Sequence, residues 1–309
     1  MKNRFIRYIK RLLLPIVERF ERPIETNRVL LGKQLINSIR TAKKTPERLA
    51  DVGFKVFSQW DEDGIIQYLI SKVPIINKVF VEFGVEDYRE SNTRFLLVND
   101  NWKGLIMDSD PSHIRRIKSR DIYSRHDLVA VQALVTRENI NSLIGNYGIT
   151  GDIGLLSIDI DGIDYWVWEA MNVITPRIVI CEYNSVFGSH EAITIPYNEK
   201  FQRTAAHHSN LYFGASLKAL CLLARKKGYK FVGSNIAGIN AFFVREDVGS
   251  HLEGLDCEAG YVEGTMRESR DESGRFTYVT GTDRLKVISH LKVLELTTNR
   301  LKNAGDIKI

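Results

Sequence analysis

Short apolar runs alternate with amphipathic stretches along most of the chain. Val79 to Phe83, Leu105 to Asp108, Leu128 to Val135, Leu155 to Asp159 and Arg177 to Glu182 read as strands, each a brief apolar run bounded by polar or turn-forming residues. Between them the spacing predicts helices over Ile65 to Ser71, Asn92 to Val98, 112–120, 137–146 and Tyr165 to Met171, with Ser91 capping the second. Ser216 to Lys227 is strongly amphipathic and stops at Gly228, a residue suited to a helix C-cap. Tyr229 to Gly233 and Asn240 to Arg245 then follow as two strands joined by a glycine-containing turn. Strands separated by helices imply a mostly parallel sheet covered on both faces. The consecutive pair at the end implies an antiparallel hairpin closing it. The expected fold is therefore α/β and Rossmann-like, with a mostly parallel seven-stranded sheet, a terminal antiparallel hairpin and helices on both faces.

The pattern changes at both ends, which divides the 309 residues into three parts. Residues 1-50 read as a basic helical extension, 51-249 as the α/β domain, and 250-309 as a polar segment and helix, a lid or dimer arm. The last helix-like stretch runs from Arg284 to Lys302. Lys2, Arg4, Arg7, Lys10 and Arg11 crowd the N-terminus, while Phe5, Ile9, Leu12, Leu13, Ile16 and Phe20 recur at helical spacing. Such a basic amphipathic helix suits an anionic membrane face, or packing on its own domain or on a partner subunit. No run approaches the roughly 20 apolar residues of a membrane span. The apolar run Leu12 to Val17 is too short for a signal peptide and lacks a cleavage site. Cys181, Cys221 and Cys257 show neither disulfide nor zinc spacing. The expected location is cytoplasmic, peripheral to the inner membrane if the N-terminal helix docks there.

The strand ends carry the candidate chemistry. The first strand runs into Glu82-Phe83-Gly84, where a glycine permits close approach of a ligand to the backbone. The second ends on Asp108, placed to accept from a ribose hydroxyl pair. Ligands of such sheets sit beyond the carboxyl ends of the strands. A dinucleotide would need G-x-G-x-x-G after the first strand, and a nucleoside triphosphate a P-loop. Here Gly84 stands alone, followed by Glu86 and Asp87, which would repel a pyrophosphate but tolerate a cationic sulfonium. S-adenosylmethionine (SAM) fits better than either.

The fourth strand delivers Asp159 and Asp161 to one face, since side chains alternate along a strand. Asp164 is better suited to capping the following helix. The fifth strand ends in Glu182, Tyr183 and Asn184. Asp159, Asp161, Glu182 and Asn184 form a hard oxygen set matched to Mg²⁺ or Mn²⁺. Direct hydrogen bonding to cofactor and substrate is the alternative. The loop 185–213 brings His190, His207 and His208 to the ligand side, and His190, nearest the carboxylates in sequence, is the leading candidate for a base. Trp60, Trp102, Trp166 and Trp168 read as packing residues.

On these residues the chain resembles the FkbM-type methyltransferases, in particular a subgroup associated with bacterial surface-polysaccharide clusters. The resemblance lies in SQWDEDGIIQYL (58–69), FVEFGVEDYRESNTRFLL (80–97), WKGLIMDSD (102–110), LLSIDIDGIDYWVWEAM (155–171), IVICEYNSVFG (178–188) and segments of 212–247. It implies a class I methyltransferase fold, and SAM contacts from Glu82, Phe83, Gly84, Asn92, Thr93, Asp108 and Asp159. Many relatives carry Asp-Gly where this chain has Asp87-Tyr88, which bears on the conformation of the cofactor loop.

The resulting expectation is a SAM-dependent O-methyltransferase acting on a sugar hydroxyl of a surface glycan or its precursor. Asp161, His190 and Glu182 are the expected catalytic residues. The expected partner is a carbohydrate or glycolipid-linked sugar, not a nucleic acid, and a homo-oligomer fits the end segments. Two other readings stand beside it: a metal-dependent glycosyltransferase using Asp159-Ile160-Asp161, and a non-catalytic scaffold in polysaccharide assembly.

Overall fold

A computed structural model of the protein describes the backbone of residues 2–42 and 45–309, and the side chains of 22–42 and 45–309. In chain order the elements are α1 (Lys2–Thr41), α2 (Glu62–Lys72), β1 (Val79–Phe83), α3 (Arg94–Asp100), β2 (Lys103–Asp108), α4 (Pro111–Lys118), α5 (Asp121–Arg125), β3 (Leu128–Gln132), α6 (Ile140–Gly145) and β4 (Gly151–Ile158). There follow α7 (Asp164–Ala170), β5 (Ile174–Glu182), β6 (Ile193–Thr194), α8 (Arg203–Ala206), α9 (Leu217–Lys226), β7 (Tyr229–Ser234), β8 (Asn240–Arg245), α10 (Asp283–Val287), β9 (Lys292–Glu295) and β10 (Arg300–Asn303).

The main sheet has seven strands in the order β3-β2-β1-β4-β5-β8-β7. Strands β1 to β5 pair in parallel, and β8 runs antiparallel between β5 and β7. The chain leaves β1 in one direction through β2 and β3, then crosses to β4 on the other side. The topological switch point therefore lies between β1 and β4, the place where sheets of this kind receive ligands.

Alternation along each strand divides the core into two layers. Val81, Phe83, Leu105, Met107, Leu156, Ile158, Val179 and Cys181 face one layer, shared with residues of α6, α7 and α9. Phe80, Ile106, Leu155, Ile178 and Ile180 face the other, shared with residues of α2, α3 and α4. Trp168 is buried in the first layer, where its ring lies 5.0 Å from Phe243 and 6.0 Å from Tyr229. Trp102 is buried as expected, but Trp60 is 37% exposed and anchors no core.

The N-terminal extension forms one long helix, Lys2–Thr41. Its second half docks through Ile36, which clusters with Val56, Phe57 and Phe95. Arg94 secures the contact: it donates to Glu25 at 2.7 Å, and its guanidinium lies 4.1 Å above the Phe57 ring. The basic and apolar side chains expected to form an amphipathic face before residue 21 lie outside the described residues. No helix among the described residues is long and apolar enough to cross a membrane.

The helix expected over Arg284 to Lys302 is absent. A short helix, α10, is followed by an antiparallel hairpin, β9 with β10, and β9 also pairs with β6. Leu285, Ile288, Leu291 and Leu294 have helical spacing, but Thr297, Thr298 and Asn299 supply a turn. Both Thr amides bond Glu295, and Asn299 adopts φ +54°. Pairing with β6 then overrides the local helical pattern. Leu285, Ile288, Val293, Ala304 and Ile307 are buried in the same layer as Trp168, so this segment is built into the domain's core.

Candidate active site

A cavity of about 560 Å³ opens at the carboxyl ends of β1, β2, β4 and β5. Its floor is the junction of the first residues past β1 and β4. Gly84 takes φ +73°, and a Cβ built there would fall 1.5 Å from the carbonyl oxygen of Asp159. No other residue fits, which is the physical content of the lone glycine in the sequence.

Around Gly84 the expected cofactor residues divide by role. Glu82, 4% exposed, accepts from Ser91 Oγ and Thr93 Oγ1, both at 2.5 Å, and from the amides of Asn92 and Thr93. It thereby fixes the 91–93 turn at the cavity wall. Burial pushes its carboxyl pKa up, against these hydrogen bonds. Asn92 lines the cavity and donates to Ser157 Oγ at 3.1 Å. Thr93 and Phe83 are fully buried and off the wall, so their side chains support the site rather than touch a ligand.

Asp108 lines the cavity, accepting from the amides of Glu86 and Asp110, each at 2.8 Å, and pairing with His113 Nδ1 at 3.0 Å. Its carboxylate is thus held rigidly, tying the loop after β1 to the end of β2. Across from it, the segment after β3 presents Ala133, Leu134 and Val135, with Leu134 57% exposed. An acid beside an apolar ledge is the chemistry a ribose and a purine ring require.

The loop 84–88 answers the question raised by Asp87-Tyr88. Tyr88 takes φ +61°, the left-handed conformation a glycine would adopt. Such a backbone costs a non-glycine residue about 1–2 kcal/mol. The ring offsets this, being fully buried with its hydroxyl 3.0 Å from Thr93 Oγ1. The loop keeps a glycine-like bend with a tyrosine.

On the far side stand the carboxylates. Oxygens of Asp159, Asp161 and Glu182 all lie within 4.8 Å of one another. Asp161 sits at φ +56° with a largely exposed side chain, and receives Arg203 Nη1 at 2.6 Å. Arg203 is steadied by Asn210 O and by the Phe213 ring, 3.7 Å from its guanidinium carbon. Glu182 is 8% exposed, and its Oε2 is buried without a hydrogen-bond partner. Burial, reinforced by neighbouring Asp159 and Asp161, holds the Glu182 carboxyl well above the usual range. Asp159 is raised likewise, by burial and by Asp161 and Asp164. Asp164 accepts from the amides of Ile160 and Gly162, shaping the turn.

Asn184 lines the cavity with its amide engaged by the loop, and His190 is placed elsewhere. Asn184 does not join the carboxylates: its Oδ1 accepts from Val186 N, and its Nδ2 donates to Leu211 O and Phe213 O. With its amide spent on shaping the loop, it is no metal ligand. His190 is not on the cavity wall; its ring is half exposed and pairs with Glu258 at 3.1 Å. Nearness to Glu182 along the chain did not become nearness in space, because the chain turns away through Ser185–Phe187. His207 is also off the wall, stacked 4.0 Å from His208 and bonded to Ser209.

Other wall residues were not foreseen. Arg203 and Phe201 come from the loop after β5, Asn240 from the start of β8, and Met266, Glu268 and Arg284 from the C-terminal segment. Asn240 donates to the buried Glu62, which also receives Asn235 and the Trp60 amide. Glu62 therefore braces the cavity wall from behind. Nothing in the local sequence marks these positions.

Neither a protein-family model nor a curated protein matches the chain. Among solved structures it is similar to the N-terminal domain of EvdMO1 with SAH bound, at 9% identity over 69% of this chain and 94% of that one, with a TM-score of 0.39. A SAM-dependent methyltransferase from Clostridium acetobutylicum shares 7% identity over 59% of this chain and 89% of its own, at a TM-score of 0.36. PKMT2 from Rickettsia typhi in complex with AdoHcy shares 10% identity over 57% and 51%, at 0.38. The strand order itself defines the fold as Rossmann-like, with the class I methyltransferase layout.

Proposed function

We propose that the protein is a SAM-dependent O-methyltransferase of the FkbM type, acting on a sugar hydroxyl of a surface glycan or its precursor. The observation that carries this reading is the division of one cavity at the switch point. On one side Gly84, Asp108 and the Ala133–Val135 ledge suit a nucleoside; on the other, three carboxylates and Arg203 suit a polyhydroxyl acceptor. SAM would lie along β1 and β2 with its ribose at Asp108. Its methyl group would point toward Asp159, Asp161 and Glu182.

These carboxylates would receive the acceptor hydroxyl and its proton. SAM, when bound, would supply an electrophilic methyl group to the acceptor oxygen and leave as S-adenosylhomocysteine, with Asp159, Asp161 and Glu182 orienting the hydroxyl for that in-line transfer. The proton would pass to one of these carboxylates, Glu182 being held above the usual range by burial and by Asp159 and Asp161, in place of His190 as base. Holding the two reactants in line supplies much of the rate. The glycosyltransferase reading of Asp159-Ile160-Asp161 leaves the Gly84 and Asp108 side of the cavity without a role.

The test is transfer of a labelled methyl group from SAM to purified surface polysaccharide or its lipid-linked precursor. The reading predicts label in the glycan, lost on Glu182→Gln; label in neither acceptor would overturn it.

A further inference from the structure

We propose that Asp159, Asp161 and Glu182 form a binding site for a hard divalent cation, Mg²⁺ or Mn²⁺, which exchanges with Arg203 at Asp161. This deepens the methyltransferase reading, giving the acceptor side of the cavity an ion to hold a hydroxyl.

Three observations support it. Three carboxylate oxygens converge within 4.8 Å. Oxygens on opposite sides of such an ion stand about 4.2 Å apart, so small side-chain adjustments close the set. The second observation is independent of the cluster: Glu182 is more than nine-tenths buried, and its Oε2 has no partner. A buried polar atom without a partner is costly, and an ion supplies what no neighbouring donor does. The third is charge. Three acids crowd together with the single guanidinium of Arg203 beside them, and a divalent cation would supply the positive charge that lets them ionise side by side.

Arg203 occupies one edge of the site. It bonds Asp161, whose side chain is 62% exposed and free to turn. It is carried on the short α8, whose residues Thr204 to Ala206 are exposed. An ion taking an oxygen of Asp161 would release Arg203 toward the cavity, where it can meet an acceptor. Each acid gives one oxygen to the ion, leaving second oxygens for the acceptor hydroxyl.

The test is titration of Mn²⁺ into the metal-stripped full chain, followed by electron paramagnetic resonance of free Mn²⁺. We expect one saturable site, weakened about tenfold or more by Asp161→Asn and by Glu182→Gln. Arg203→Ala should tighten binding, because its competition is removed; a merely structural arginine would give no gain. Asp161→Asn keeps the test informative should Glu182→Gln fail to fold, since Asp161 lies outside the core. Absence of saturable binding, or binding unchanged in Asp161→Asn, would overturn the site. S-adenosylhomocysteine binding in the presence of a chelator reports on the methyltransferase reading alone, so the two failures are distinguishable.

Discussion

Gly84 carries more of the account than any other residue. Its left-handed φ and the carbonyl of Asp159 against it fix the meeting of β1 and β4, and with it the cavity floor. Gly84→Ala should therefore do more than strain one residue by about 1 kcal/mol; it must push the two strand ends apart. Calorimetric melting should show a clear drop in Tm and nucleoside binding should vanish, whereas a variant that melts and binds like the parent would contradict the assigned role. The residues that were legible in sequence share one property. Gly84, Asp108, Asp159, Asp161 and Glu182 stand at ends of apolar strands, and a strand end in a parallel sheet has a known place. Arg203, Asn240 and Arg284 reach the same cavity from loops and a distant segment, where position follows from tertiary packing alone. His190 shows the converse error: eight residues after Glu182, it is turned away and paired with Glu258.

At the scale of elements, the seven strands and the helices between them follow the apolar periodicity closely, because the inner strands are buried on both faces and read as unbroken runs. The C-terminal stretch failed for a physical reason. Its apolar residues satisfy both a helix and a strand pattern over Leu285 to Leu296, and the partner strand Ile193–Thr194 decides between them. That pairing makes the C-terminal segment structural, since Ile288 and Val293 are fully buried against the main core. A chain ending at residue 281 should lose these contacts and uncover β6. Removing several buried aliphatic side chains, each worth roughly 2–5 kcal/mol, exceeds much of an ordinary domain's stability. The shortened chain should be aggregated, or should melt at a markedly lower temperature by circular dichroism; an unchanged Tm would show that the segment is an appendage after all.

For the whole molecule, the cavity wall is assembled from the strand ends, the loop after β5 and the C-terminal segment. Glu62, on the first helix after α1, holds Asn240 at the cavity, while Arg284 and Glu268 close it from the C-terminal side. This arrangement places the side of Gly84, Asp108 and Ala133–Val135, proposed to take SAM, against an acidic, arginine-bearing side. Isothermal titration calorimetry of the full chain with S-adenosylhomocysteine tests that proposal most directly. One-to-one binding is expected, with a Kd near the micromolar range, about −8 kcal/mol, lost on Asp108→Ala. No heat of binding at millimolar S-adenosylhomocysteine would contradict it.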